Sequence, residues 1–170
     1  GKGIRIAYNE EELINSYDIV KQEAKISFND DSIYIEKFIE NPRHVEVQVL
    51  ADEYGNVVHL GERDCSVQRR NQKVLEETPS MILTDKVRKK MFDVTVKAVK
   101  EIGYSSVGTI EYLVDKNLDF YFMEMNTRIQ VEHPITEMVS GVDIVKEQIR
   151  AASGEKLSVS QKDISFSGHS

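Results

Sequence analysis

The chain has 170 residues, and its 22 Lys and Arg against 29 Asp and Glu give a formal net charge of −7. That balance argues against a general nucleic-acid binder, which needs a cationic face to release counterions, and no apolar run approaches the roughly 20 residues of a membrane span. Hydrophobic content of 40% and charged content of 30% are those of a folded globular protein rather than a disordered one, and one cysteine, Cys65, leaves no intrachain disulfide and suits a reducing cytoplasm.

Gly1-Lys2-Gly3 reads as the tail of a glycine-rich turn, and Phe166 to Ser170 as a chain cut in passing, so a piece of a longer protein is expected. Ile4 to Ala7 reads as a short strand. Asn9 followed by Glu12 is a capping-box pattern, and Leu13, Tyr17, Val20 and Ala24 carry the helix toward Phe28. Ile33 and Ile35 alternate with polar neighbours as in a strand. Asn41-Pro42 breaks the chain; Val45, Val47 and Val49 then alternate with Glu46 and Gln48, a half-buried strand. A turn at Asp52 to Asn56 returns it as Val57 to Leu60. Arg63 to Lys73 is polar, basic and without period, and is expected to be a loop. Thr84 caps a helix striped by Val87, Met91, Val94, Ala98 and Ile102 and closed by Gly103. Val107–Val114 and Phe120–Asn126 form a hairpin, Pro134 follows a polar loop, and 143–152 make a last helix. Hairpins with segregated helices indicate an α+β fold.

The hairpin holds the richest chemistry. Alternation puts Tyr121, Met123 and Met125 on one face and Phe122, Glu124 and Asn126 on the other. A turn centred between 117 and 118 sets Glu111 opposite Glu124. Like charges facing across two strands are destabilising. A shared proton, hydration, or a hard cation such as Mg²⁺ held by oxygen ligands would each relieve them. In the segment that follows, Arg128 can hold a planar oxyanion, Gln130 can donate to it, and Glu132 can take its proton; a solvated loop is the plainer alternative.

These residues carry a resemblance. Met123 to Pro134, with Asn41-Pro42-Arg43-His44-Val45-Glu46 and Glu62 to Lys73 upstream, resembles in order the signature motifs of biotin carboxylases, members of the ATP-grasp superfamily. The likeness implies an ATP-grasp antiparallel sheet with helices, present in part. It divides the chain into 1–38, a remnant of the lid, and 39–170, the body with the metal and bicarbonate site. It implies an enzyme that uses ATP with Mg²⁺ or Mn²⁺ to activate bicarbonate and carboxylates biotin on a carrier protein. It assigns Glu111, Glu124 and Asn126 to the metal. Arg128, Gln130 and the Val131 backbone go to bicarbonate, Glu132 is the base, and Lys73 lies near phosphate and bicarbonate. Glu36, Lys37 and Ile39 meet adenine, with Leu113 as its apolar wall; His44 and Gln68 lie near ribose and phosphates, and Gly1 and Gly3 are what remains of the glycine-rich loop.

Asn71 stands where many such proteins have histidine. The resemblance further implies a carboxyltransferase and a carrier as partners, a homodimeric parent in the cytoplasm, and no nucleic-acid or membrane partner. Other family segments that the site needs are absent from this sequence, so the chain alone is expected to be inactive, and to be marginally stable or to self-associate through uncovered apolar surface. A bacterial acetyl-CoA carboxylase subunit is the leading assignment. The alternatives are a pyruvate or propionyl-CoA type carboxylase and a carbamoyl phosphate synthetase half; the Arg-x-Gln-x-Glu-His run at 128–133 speaks against the last.

Overall fold

The computed structural model describes residues 3–170, and the chain divides into two compact units, Gly1–Glu40 and Asn41–Ser170. In the first, α1 (Glu10–Phe28) starts where the capping pattern put it. Asn9 Oδ1 accepts from the Glu12 N–H, while the Glu12 carboxylate takes the Tyr8 N–H. The helix ends at Asn29 in the left-handed conformation, φ 55°. The strands expected at 4–7 and 33–36 are not formed; both segments are irregular. A strand needs a hydrogen-bonded neighbour, and among the described residues of this unit neither segment has one.

The second unit is built on five antiparallel strands in the order β3-β2-β1-β4-β5. They are β1 (Arg43–Ala51), β2 (Val57–Arg69), β3 (Gln72–Glu77), β4 (Ser106–Val114) and β5 (Phe120–Asn126). The helices are α2 (Asp85–Glu101), α3 (His133–Ser140) and α4 (Ile144–Ala152). One sheet face carries Val45, Val47, Val49, Ile110, Tyr112 and Val114, packed on Met91, Phe92 and Val99 of α2. Each such fully buried side chain contributes roughly 1.5–3 kcal/mol. On the other face Leu50, Val58, Leu60 and Val107 pack with Val142 and Ile144 at one end. The other end of that face carries the polar residues described below.

Two expectations need correction here. β1 is not half-buried: Val45 through Ala51 are all buried, because the Glu46 and Gln48 side faces buried polar partners rather than water. The segment from Arg63 to Lys73 is not a loop. β2 runs on to Arg69, and Arg70 and Asn71 turn the chain with φ 53° and 63° into β3. Two consecutive left-handed residues are what a tight hairpin turn requires. The absence of an apolar period misled because one side of this hairpin lines a polar cavity.

α3 was not expected as a helix. It begins with Pro134 in its first turn, where a missing N–H costs nothing, and ends at Gly141 with φ 70°. α4 is capped by Asp143, the residue just before it, whose carboxylate accepts from the Lys146 N–H.

His59 on β2 stacks on Phe92 of α2, centroids 4.0 Å apart. Burial pushes its pKa down to about 4, against a smaller opposing effect of Asp93. The unfolded chain therefore takes up this proton first, so stability falls as pH drops from about 6.5 toward about 4. Between pH 7.5 and 5 the stability gap between the native chain and His59→Gln should narrow by about 1–2 kcal/mol after discounting partial exposure. Urea titrations at the two pH values measure it; a gap independent of pH contradicts this account.

Candidate functional site

The hairpin register is the one the sequence indicates: Glu111 pairs with Glu124, and Thr109 with Asn126. A one-residue shift between Glu111 and Tyr112 leaves Met123 without a paired residue. A bulge of this kind re-aims a side chain. Met123 consequently lines the cavity, while Met125 packs on the core, so the two do not share a face as alternation alone expected.

β1 lies beside β4 with Glu46 opposite Glu111 and His44 opposite Leu113. β2 brings Arg63 opposite Glu46, and the β2–β3 hairpin sets Lys73 opposite Gln68. The residue types at these crossings dictate a network. The Lys73 ammonium donates to Glu46 Oε2 at 2.5 Å, Glu111 Oε1 at 2.9 Å and Glu132 Oε1 at 2.7 Å. An ammonium has three donors, and here each meets a carboxylate. Glu111 Oε1 also accepts from Asn126 Nδ2 and Gln130 Nε2, both at 3.0 Å. Asn126 Nδ2 reaches Glu124 at 3.3 Å as well, so this amide bridges the two facing carboxylates.

The histidine tautomer follows from its neighbours. Gln68 Nε2 donates to the Cys65 carbonyl, which fixes the amide, and also lies 3.1 Å from His44 Nδ1. Nδ1 is then the acceptor and Nε2 carries the proton. Nε2 lies 2.9 Å from Glu111 Oε2, a close contact with poor hydrogen-bond alignment.

Burial opposes ionisation of Glu111, but His44 and Lys73 outweigh it and hold the carboxyl well below its usual range. Burial likewise opposes the Glu132 carboxylate and is outweighed mainly by the Lys73 hydrogen bond. Desolvation pulls Lys73 down, while the charge of Glu46 and bonds to three carboxylates hold it well above its ordinary value. The Cys65 thiol is pushed up by burial and by Glu46, so it is not a thiolate.

A cavity of about 750 Å³ opens over this network, lined only by residues of the second unit. His44, Gln68, Lys73, Glu111, Leu113, Glu124, Asn126, Arg128, Gln130, Val131 and Glu132 all line it. Gln130 is buried, whereas Val131 and Arg128 are exposed, and Arg128 Nη1 donates to the Ile129 carbonyl. Glu36, Lys37, Ile39 and Gly3 belong to the first unit, and Gly1 lies outside the described residues. Asn71 lines the cavity; Arg69 and Arg70 do not.

Two residues of the network escaped the sequence reading. Glu46 looked like the wet side of a strand, and Arg63 like part of a loop. Both are fully buried and bonded to each other, Arg63 Nε to Glu46 Oε1 at 2.7 Å. Pairing β1 in register with β4 would have placed Glu46 beside Glu111.

The donor set suits a hard divalent cation. Glu111, Glu124 and Asn126 supply only oxygen ligands once the amide turns, and the cavity leaves room for waters and phosphate oxygens.

The family described as "Carbamoyl-phosphate synthase L chain, ATP binding domain" matches residues 1–160. Biotin carboxylase 1 of Bacillus subtilis is 60% identical over 99% of this chain and 38% of its own length. The biotin carboxylase domain of a thermophilic 2-oxoglutarate carboxylase bound to bicarbonate superposes with a TM-score of 0.90 at 57% identity, covering 97% of this chain and 37% of that one. The Hydrogenobacter thermophilus 2-oxoglutarate carboxylase biotin carboxylase domain dimer, in complex with MgADP, ADP and bicarbonate, gives 0.87 at 58%, over 99% of this chain and 37% of that one. Proteins named as pyruvate and propionyl-CoA carboxylase chains match at 56% and 53%. The chain thus spans less than two-fifths of the length of these relatives.

Removing the central cation should be costly. Lys73→Met removes the cation shared by Glu46, Glu111 and Glu132, leaves Glu46 with Arg63 alone, and is expected to cost about 3–5 kcal/mol at pH 7. The carboxylates gain stability from Lys73 only while ionised, so the deficit should shrink as pH falls below about 4.5. Equal deficits at pH 7 and pH 4 would show that Lys73 does not hold this cluster.

The family description carries the name of the synthetase alternative, but the individual relatives and structures are named as biotin carboxylases, biotin carboxylase domains or carboxylase chains. The chain belongs to the carbamoyl-phosphate synthase L chain ATP-binding-domain family, as an ATP-grasp portion of the biotin carboxylase kind.

Proposed function

We propose that the protein carrying this chain is an ATP-dependent biotin carboxylase, which uses MgATP and bicarbonate to carboxylate biotin on a carrier protein. The observation that carries this reading is the single cavity in which Glu111, Glu124 and Asn126 lie beside Lys73, Gln130 and Glu132, with Arg128 at its edge. Oxygen ligands for a cation and donors for a small anion share one wall.

When bound, Mg²⁺ would neutralise phosphate charge between Glu111, Glu124 and Asn126. The chain's own residues do the rest. Arg128 offers a bidentate fork to the planar anion. Gln130 and the Val131 backbone N–H add donors. Glu132, ionised at neutral pH through its Lys73 contact, accepts the bicarbonate proton, which turns a poor nucleophile into a competent one. Lys73 lines the same cavity and, on giving up one of its three carboxylates, would turn a donor to phosphate and bicarbonate oxygens, a positioning task that phosphoryl transfer rewards.

Residues 1–38 serve as the remnant of a lid in this reading, with Glu36, Lys37 and Ile39 assigned to the adenine and Gly1 and Gly3 to a phosphate loop; the support is their place in the motif order. Leu113 is the apolar wall, and His44 and Gln68 approach ribose and phosphates. The parent is a cytoplasmic homodimer that works with a biotin carrier and a carboxyltransferase. Acetyl-CoA carboxylase is the preferred setting, and turnover needs the remainder of the protein. No helix among the described residues is long and apolar enough to cross a membrane.

ATP cleavage by the complete protein should require bicarbonate and rise with free biotin; cleavage indifferent to both discards the reading. Glu132→Gln should lower kcat by about 10²–10⁴ while ATP binding stays within a few-fold. Arg128→Ala should raise the KM for bicarbonate at least tenfold, as about 1.5–3 kcal/mol of charge-assisted bonding implies, with less change in the KM for ATP. Equal changes in both constants would remove Arg128 from the anion site.

A further inference from the structure

Arg63 is the largest fully buried side chain among the described residues. Its five N–H donors meet five acceptors. Nε donates to Glu46 at 2.7 Å, Nη1 to Gln48 Oε1 at 2.7 Å and Thr136 Oγ1 at 3.0 Å. Nη2 donates to Thr109 Oγ1 at 3.4 Å and Gln130 Oε1 at 3.1 Å. A guanidinium only donates, so the atom of Gln130 that faces it must be the oxygen. The carboxamide nitrogen then points the opposite way and gives one N–H to Glu111 Oε1 at 3.0 Å. Among the described residues its second N–H has no acceptor, and it belongs to a residue on the cavity wall.

Stability alone does not account for this arrangement. Burying a guanidinium and a carboxylate costs several kcal/mol per ion, and apolar replacements of such pairs are often no less stable. What the arrangement achieves is an oriented amide. Turned over, Gln130 would set its nitrogen against the Arg63 donors and its oxygen against the Glu111 carboxylate, and it would show an anion an acceptor instead of a donor.

We infer that Arg63 is a positioning residue: buried behind the cavity wall, it locks Gln130 with its amide nitrogen toward the anion that the cavity takes. For bicarbonate as that anion the inference rests on the function proposed above. Gln48, Thr109 and Thr136 hold the guanidinium from the remaining sides, which leaves it one pose.

The test uses the complete protein. Arg63→Lys keeps a cation beside Glu46 but has no planar fork, so it cannot also reach Gln130. Its KM for bicarbonate should rise about tenfold, the loss expected for one hydrogen bond from Gln130 to a charged acceptor, with the KM for ATP within twofold. The side-chain amide signal of Gln130, identified by its disappearance in Gln130→Leu, should shift in the ¹⁵N spectrum. Thr136→Val takes a bond from Nη1 and none from Nη2, and should produce less than a third of the KM change.

An unchanged bicarbonate KM with an unmoved Gln130 signal overturns the inference. So does a common fall in kcat, ATP affinity and melting temperature, which is what a merely structural arginine would give. If Arg63→Lys does not fold, Glu46→Gln/Arg63→Gln measured against Glu46→Gln gives the same contrast with the charges removed together; no bicarbonate effect there also overturns it. Native ATP cleavage that ignores bicarbonate defeats the proposed function and with it the anion assignment, whereas the Gln130 signal in Arg63→Lys separately reports whether Arg63 holds the amide.

Discussion

Three carboxylates, Glu46, Glu111 and Glu132, converge on the Lys73 ammonium, and Glu46 is shared with the buried Arg63. Each ion taken from water costs several kcal/mol, and only close, well-directed pairing repays it. That requirement constrains the rest of the second unit. The β2–β3 turn must place Lys73 opposite Gln68. β1 must lie in exact register between β2 and β4, since a slip of one residue would send Glu46 to the apolar face and a valine to the ions. α3 must start at His133, with Glu132 at its N-terminal boundary turned to Lys73 rather than capping the helix, and with Thr136 one turn on against Arg63.

The sheet divides its labour between its faces. The side packed on α2 supplies apolar burial, and the polar end of the opposite side, to which all five strands contribute, supplies charge. The bulge at Met123 sits where the second role begins, and it lets an apolar side chain line the cavity next to the two glutamates. Such a wall sets apolar surface beside charge in one cavity, whose volume falls within the range of small-molecule sites.

Much of this was legible from residue order. The helices at 10–28 and 85–101 follow from caps and spacing, and the Glu111–Glu124 pairing follows from strand alternation and a turn centre alone. The missing strands around residues 4–7 and 33–36 could not be read, because alternation reports a half-exposed strand without naming its partner. The β2–β3 hairpin was hidden for the opposite reason. Ser66, Gln68, Lys73 and Glu76 face a polar cavity, so the polar period that ordinarily marks solvent does not appear. Arg63 was the least legible residue. An arginine among polar neighbours reads as surface, and only the three-dimensional crossing of four elements shows that its donors are all used.

The same crossing bears on how the site can take a cation. Glu111 Oε1 already accepts from Lys73, Asn126 and Gln130, and its Oε2 faces His44. With Glu124 included, four carboxylates stand against the charges of Lys73 and Arg63, and a divalent cation balances the difference. Three donors crowd Oε1, whereas Oε2 has only the poorly aligned His44 beside it and keeps lone-pair room for a cation. For Oε1 to ligate as well, one donor would have to leave. Gln130 is held from behind by Arg63, and Asn126 has only to turn its amide to change from donor to ligand. Lys73 retains Glu46 and Glu132 if it yields Glu111. On the proposed reading the groups able to give way would be Asn126 and Lys73, the one turning its amide oxygen to the cation and the other freeing a donor beside the cavity, while Arg63 holds Gln130 in place. A charge cluster that is costly to bury would in this way also offer hydrogen bonds that a cation and an anion can take over.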